Sequence, residues 1–395
     1  MTDNGAEILG RAAIAGLGIT DTGKVYGRSA PDFAADAIRR ALADAGLTLG
    51  DVDGLLINNG VSGDVDFRLA NELGLRDLRF MSMQNVAGAT AIASTQHAAM
   101  AIATGLASCV VVVHADAPLT DPNAPSGSIY RGRRGGPTGF PAVAYAGGAR
   151  GATGGYALAA RRHMDTYGTT SEQFGAIAVA QRQWATMNPR ARFREPITIE
   201  DHQHSRYVAE PLHLLDCCMV SNGGIAVVLT TADRARDLAK PPVYIWGAAQ
   251  THPGYQRTRG SEFGLVTGAA RSGPAAMAMA GIKTGDVDVC ELYDCYTYTA
   301  LVTLEDYGFC AKGEGGAFVE SGVLAPGGAL PTNTGGGQLS SYYLWGMTPL
   351  SEAVIQARGE GGERQVAKHD VVLASGNGGL LDYHSTCVLS PEVRS

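Results

Sequence analysis

The amino-acid sequence predicts an α/β protein, on three observations. Continuous β-branched runs such as Val110-Val111-Val112-Val113 suit strands covered on both faces of a sheet. Between such runs lie segments whose apolar residues recur at helical spacing, or that are small and apolar throughout. The stretch 45–53 (Ala-Gly-Leu-Thr-Leu-Gly-Asp-Val-Asp) also returns at 280–288 (Ala-Gly-Ile-Lys-Thr-Gly-Asp-Val-Asp) with six identities in nine, each copy between a helix and a buried strand. The repeat implies duplication, with an N-terminal half over 1–240 and a C-terminal half over 241–395.

In chain order, Ala34, Ile38, Leu42 and Ala45 mark one face of a helix over 31–46, with Pro31 near its start and Gly46 just past its end. A strand follows at 52–58. Residues 86–105 are small and apolar almost throughout and read as a helix buried on all sides, leading into a strand at 109–113. Residues 117–212 have no counterpart in the second half and read as an inserted loop region. Between Pro122 and Gly155 this insertion is too rich in glycine for a regular element. Beyond it, helices are expected near 155–167 and 171–187, the second capped by Ser171 with Glu172 in its first turn. Later strands fall at 225–229, 243–247, 287–292 and 371–374.

With 395 residues, 45% hydrophobic and 17% charged, the chain can bury a large core and lacks the composition of disorder. A formal net charge of −7 argues against a grip on nucleic acid. The seven cysteines are odd in number and sit mostly in apolar runs, as reduced thiols do, so no disulfide framework is expected. No basic-then-apolar leader opens the chain and no apolar stretch approaches the ~18 residues of a membrane span, which points to a cytoplasmic protein. Asp201-His202-Gln203-His204 has no second ligand cluster and reads as a solvated helix face, and Cys217-Cys218 as packing. The Gly-x-Gly groupings do not lead a strand into a helix at dinucleotide spacing, so no nicotinamide site is expected. The 53 glycines are clustered, and those clusters are where function is expected.

Three segments carry a family likeness. They are Asn188-Pro189 with Arg194-Glu195-Pro196-Ile197, the run from Pro211-Leu212-His213 through Ser221-Asn222-Gly223-Gly224 to Leu229, and Glu291-Leu292-Tyr293-Asp294-Cys295-Tyr296. With the duplication they resemble the sterol-carrier-protein-type thiolases over essentially the whole chain. The resemblance implies a thiolase fold: duplicated βαβαβαββ halves in a five-layered αβαβα core, with an inserted loop domain, as a homodimer. It also implies four functional positions, and all four are changed. The nucleophilic cysteine falls on Asn85 in Gln84-Asn85-Val86-Ala87-Gly88, the first histidine on Tyr293, the second on Tyr343, and the last cysteine near Ala374. Tyrosines at both histidine positions, within intact glycine-rich loops, resemble the lipid-transfer-protein-type aldolases of steroid side-chain degradation. Those enzymes cleave a β-hydroxyacyl-CoA to a ketone and a shorter acyl-CoA, beside a small OB-fold protein with a zinc ribbon (the DUF35 type).

Retro-aldol cleavage needs no covalent intermediate. It needs a base on the β-hydroxyl and stabilisation of the departing thioester enolate, work that two phenols facing one cavity can share. Tyr293 and Tyr343 are the expected catalytic pair, with the choice of base open, and a one-residue slip would put Tyr342 in place of Tyr343. Candidate substrate-binding residues are Asn85, as a polar donor at a helix N-terminus or merely a cap, and Tyr296. Gly376 and Gly378 join them, either as backbone donors to a thioester oxygen or as turn formers. Arg131, Arg133 and Arg134 read as a solvated loop in preference to a site for CoA phosphates. No cofactor is expected beyond the CoA thioester itself, which is substrate, and no metal. The alternatives are an acyl-CoA thiolase or acyltransferase with a relocated nucleophile, and a non-catalytic scaffold subunit.

Overall fold

The two halves of the chain repeat one pattern of strand pairing. In the computed structural model, which describes residues 10–126, 138–139, 141–147, 151–254, 260 and 262–393, the first half runs β1 (Ala12–Ile19), α1 (Ala30–Ala45), β2 (Gly54–Asn58), α2 (Arg68–Glu72), β3 (Phe80–Met83), α3 (Thr90–Ala103) and β4 (Cys109–Asp116). The insertion holds α4 (Pro141–Ala146), α5 (Gly151–Tyr167), α6 (Ser171–Thr186), α7 (Ile199–His204) and a ribbon of β5 (Tyr207–Ala209) and β6 (Leu212–His213). There follow β7 (Gly223–Thr231), α8 (Ala232–Arg236), β8 (Val243–Thr251), α9 (Ala269–Ala280), β9 (Val289–Glu291), α10 (Thr297–Tyr307), α11 (Gly315–Glu320), α12 (Met347–Ala357), β10 (Val372–Gly378) and β11 (Tyr383–Ser390).

Nine strands form one sheet in the order β3-β2-β4-β7-β1-β8-β11-β10-β9. In the first half β2 pairs parallel with β4, β4 antiparallel with β7, and β7 antiparallel with β1. The second half repeats this with β9 parallel to β10, β10 antiparallel to β11, and β11 antiparallel to β8. The counterpart of β3 is reduced to a single parallel bridge, Cys290 to Thr332. The halves join where β1 meets β8, antiparallel, over Ala13–Tyr244 and Ile14–Val243.

Alternation of side chains along the strands builds the layers. Val110 and Val112 of β4 turn to a central core with α3 and α12, while Val111 and Val113 turn to an outer one against α1. The central core also takes Val243, Ile245, Val372 and Leu389 from the second half, whose outer face packs on α9 and α10. The result is the five-layered αβαβα arrangement. Close approach of helix to sheet is set by glycine at equivalent places: a Cβ on Gly16 of β1 would lie 2.1 Å from the Ala41 carbonyl, and one on Gly247 of β8 2.2 Å from that of Ala276.

Several expectations shift. The helix expected over 86–105 begins only at Thr90, because Val86–Ala89 turns tightly, and its Met100 is 42% exposed. Thr170, not Ser171, caps α6, its hydroxyl accepting from the Gln173 amide. The glycine-rich part of the insertion contains a short helix, α4. Asp201-His202-Gln203-His204 does lie on a helix, but His202 is fully buried: its Nε2–H donates to Asp216 Oδ1 at 2.8 Å, since Gly175 leaves room for the ring. Arg131, Arg133 and Arg134 lie outside the described residues. The seven cysteines are free thiols.

Candidate active site

Two loops of matching design meet at the middle of the molecule. Asn85-Val86-Ala87-Gly88-Ala89-Thr90 leads into α3, and Tyr343-Leu344-Trp345-Gly346-Met347-Thr348 leads into α12. In each, the third residue has positive φ, 50° at Ala87 and 49° at Trp345. The threonine hydroxyl accepts from the second residue's amide, at 2.8 Å for Val86 to Thr90 and 3.0 Å for Leu344 to Thr348. A left-handed tryptophan is strained, and such strain gathers at functional sites. The loops touch through their glycines: a Cβ on Gly346 would sit 2.5 Å from the Gly88 carbonyl oxygen.

Tyr343 opens the second loop, its amide donating to Ser221 Oγ at 3.0 Å. Tyr293 follows β9, its amide donating to Ser375 Oγ on β10 at 3.0 Å. Thus anchored, the two rings meet edge to face with centroids 6.4 Å apart, and their hydroxyls share a hydrogen bond of 2.9 Å. The Tyr293 ring packs against the turn before α3, where a Cβ on Gly88 would come 2.2 Å from its Cζ. Tyr342 takes no part. Its hydroxyl meets Ser351 Oγ of α12 at 3.1 Å, and burial pushes the phenol up to about 12.

Tyr296 stands one step away, buried, its hydroxyl 2.8 Å from Thr153 Oγ1 of α5 and its ring tilted on Tyr156, centroids 4.7 Å apart. Tyr156 in turn accepts a long contact of 3.4 Å from the Asn377 amide nitrogen. Sequence reasoning missed Tyr156, because nothing in a helix of the insertion marks it as facing β10. Asn85 is exposed: its Nδ2 donates to Asn59 Oδ1 at 3.3 Å and its Oδ1 accepts from the Ala87 amide. It therefore shapes the turn, while the helix cap is Ala89. Gly376 and Gly378 lie within β10, pressed on the same turn. Side chains there would meet the Gly88 oxygen at 2.8 Å and the Val86 oxygen at 2.3 Å, so close approach explains both glycines.

The surrounding groups are kept neutral by burial. Asp294, beside Tyr293, is fully buried and raised to about 7, against the opposing pull of the Gln338 and Leu339 amides that donate to it. Burial pushes the Cys295 thiol up to about 12 and those of Cys217 and Cys218 well up too. His114, stacked on Trp345 with centroids 5.4 Å apart, is depressed to about 4. Among the described residues no three His, Cys, Asp or Glu side chains gather as a metal site would need.

A duplicated αβαβα core with a polar site where its two central helices begin is the architecture of the thiolase superfamily. Residues 248–391 match the thiolase C-terminal domain-like family. A "Steroid side-chain-cleaving aldolase" from Thermomonospora curvata is 41% identical over 93% of this chain and 96% of its own length. A "17-hydroxy-3-oxo-4-pregnene-20-carboxyl-CoA lyase" from Mycobacterium tuberculosis is 40% identical over 94% and 97%. The solved "Ltp2-ChsH2(DUF35) aldolase" superposes with a TM-score of 0.86 at 39% identity, covering 97% of this chain and 98% of that one. The chain belongs to the thiolase-like aldolases, carbon–carbon lyases on a thiolase fold.

Proposed function

We propose that the chain cleaves a β-hydroxyacyl-CoA carrying a steroid side chain, using Tyr293 and Tyr343 for the two proton transfers. The observation that carries the mechanism is the 2.9 Å contact between their hydroxyls. One tyrosine hydroxyl takes the proton of the substrate β-hydroxyl as its own proton passes along the contact to the other tyrosine, which gives up its proton in turn. The carbon–carbon bond then breaks, its electrons passing to the thioester as an enolate while a ketone leaves. The second phenol protonates the enolate carbon, and exchange between the paired hydroxyls resets the site. Atoms and electrons balance without an oxidant, metal or further cofactor. The choice of a steroid follows the names of the two relatives, and that of a CoA thioester follows the second.

The same reading includes a small OB-fold, zinc-ribbon partner, supported by the DUF35 component of the superposed aldolase. It also includes a homodimer. The edge strand β3, with Met81 and Met83 more than 40% exposed, offers an unpaired ladder for a second copy. An acyltransferase with a relocated nucleophile fits poorly, since thiolates are the reactive form and burial keeps Cys217, Cys218 and Cys295 protonated. The test incubates the protein, co-expressed with its DUF35-type partner, with a β-hydroxyacyl-CoA of a steroid acid. Ketone and shorter acyl-CoA are expected without added CoA, and a requirement for free CoA would overturn the lyase reading.

A further inference from the structure

The distance between the two phenols is only useful if the loops that carry them cannot drift apart, and a short chain of hydrogen bonds runs from one loop to the other. Asp294 follows Tyr293 and is fully buried. Its two carboxylate oxygens accept from the Gln338 amide at 3.0 and 2.9 Å. Gln338 belongs to a single π-helical turn, Gly337–Ser341, and its side-chain Nε2 donates to the Trp345 carbonyl at 2.8 Å. Trp345 is the strained residue two places after Tyr343. The turn has no slack on the Asp294 side: Gly337 has φ 59°, and a Cβ there would lie 2.3 Å from Asp294 Oδ2 and 2.7 Å from Gln181 Oε1. The insertion holds the turn from behind, with Arg182 Nε donating to Ser340 Oγ at 2.9 Å and Asn188 Nδ2 to the Gly335 carbonyl at 2.8 Å.

We propose that Asp294 and Gln338 are positioning residues that hold Tyr343 at hydrogen-bond distance from Tyr293, through Asp294–Gln338–Trp345. The proposal rests on the two-tyrosine reading above and assigns neither residue a contact with substrate. Asp294 is not itself the base, because its oxygens are turned to the backbone amides of the π-helical turn. Its two oxygens explain why a buried acid stands there: one compact group accepts from the Gln338 and Leu339 amides together. Misplacing reacting groups by about an ångström costs up to about 100-fold in rate, so loosening this tie is read in turnover before it is read in binding.

The test compares Asp294→Asn and Gln338→Leu with the parent, each alone and on a Tyr343→Phe background, in the complex that shows lyase activity. With Tyr343 present, each change is expected to lower kcat about tenfold or more, with KM within about twofold. On the Tyr343→Phe background, where no pair is left to align, the same changes are expected to alter the residual kcat by less than about twofold. An equal loss in both backgrounds would assign the two residues a general structural role and overturn the proposal. So would an unchanged kcat in Gln338→Leu, which keeps the carboxylate and is the deciding variant if Asp294→Asn fails to fold. If Tyr343→Phe alone is fully active, the two-tyrosine mechanism falls instead, a result read separately from the rest.

Discussion

Replacing Tyr343 by phenylalanine removes one oxygen from a 2.9 Å contact and leaves a ring that still packs edge to face on Tyr293. The variant should lose about 100-fold or more in kcat, the usual contribution of a positioned proton donor or acceptor. Its stability should fall by only about 1 kcal/mol, the net worth of one hydrogen bond. Steady-state assays beside urea unfolding check both, and Tyr342→Phe, whose hydroxyl serves α12, should keep near-normal turnover. Asp294 makes a different prediction. Its carboxyl is held protonated up to about pH 7 in the fold, against an ordinary value of 3.8. Between these values the folded chain keeps a proton that the unfolded chain releases, so this group's stability is complete below pH 3.8 and declines as the pH rises toward 7. The slope is about 1.4 kcal/mol per pH unit for one group. Unfolding free energies at pH 5, 6 and 7 should therefore fall less steeply in Asp294→Asn, and parallel slopes would count against the shift.

At the scale of elements, the two matching turns before α3 and α12 decide what the site can be. Each carries a residue with positive φ and a glycine against the other turn, and β10 closes on the first of them through Gly376 and Gly378. Gly88→Ala would drive a methyl group into the Tyr293 ring, 2.2 Å from Cζ. It should cost about 1–3 kcal/mol of stability as overpacking does, and should lower kcat more than the same substitution at exposed Gly285, where nothing lies within 4 Å. Chemical denaturation and turnover together test this. The helix expected to begin at 86 begins at Thr90 for the same reason: the composition of Val86–Ala89 is helical, but contact with β10 and α12 imposes the turn. Tertiary packing overrides local propensity there.

For the whole molecule, duplication explains the sheet order and leaves a seam between the halves. Arg358 at the end of α12 crosses it: Nη1 pairs with Asp44 of α1 at 2.7 Å, and Nε donates to the Pro241 carbonyl at 3.0 Å. Its side chain is buried, so Arg358→Ala takes the nearest cation from Asp44, which keeps the Leu17 amide at 2.9 Å and Lys240 at 3.9 Å, and should destabilise the fold by about 2 kcal/mol. Equilibrium urea unfolding would show it as a lower midpoint, without the selective loss of turnover expected at Tyr343. Legibility at this scale was uneven. The repeat at 45–53 and 280–288 is visible because both copies keep a glycine in the left-handed conformation after a helix, Gly46 at φ 72° and Gly281 at φ 60°. The second, between the turns at 85–90 and 343–348, is nearly invisible in letters, since only Gly and Thr are shared and backbone geometry carries the rest.

The sequence by itself determined the α/β class, the duplication and the strands of β-branched residues, while tyrosines at the thiolase histidine positions are what the family resemblance implied. These depend on periodicity and on residues at marked positions, which a linear string displays. Only the tertiary structure decided that Tyr343 and not Tyr342 faces Tyr293, that His202 is buried on Asp216, and that Tyr156, Asp294 and Gln338 surround the pair. Adjacent residues in an extended segment point opposite ways, and partners 14, 44 and 50 residues apart are brought together by packing alone. No local pattern records either fact.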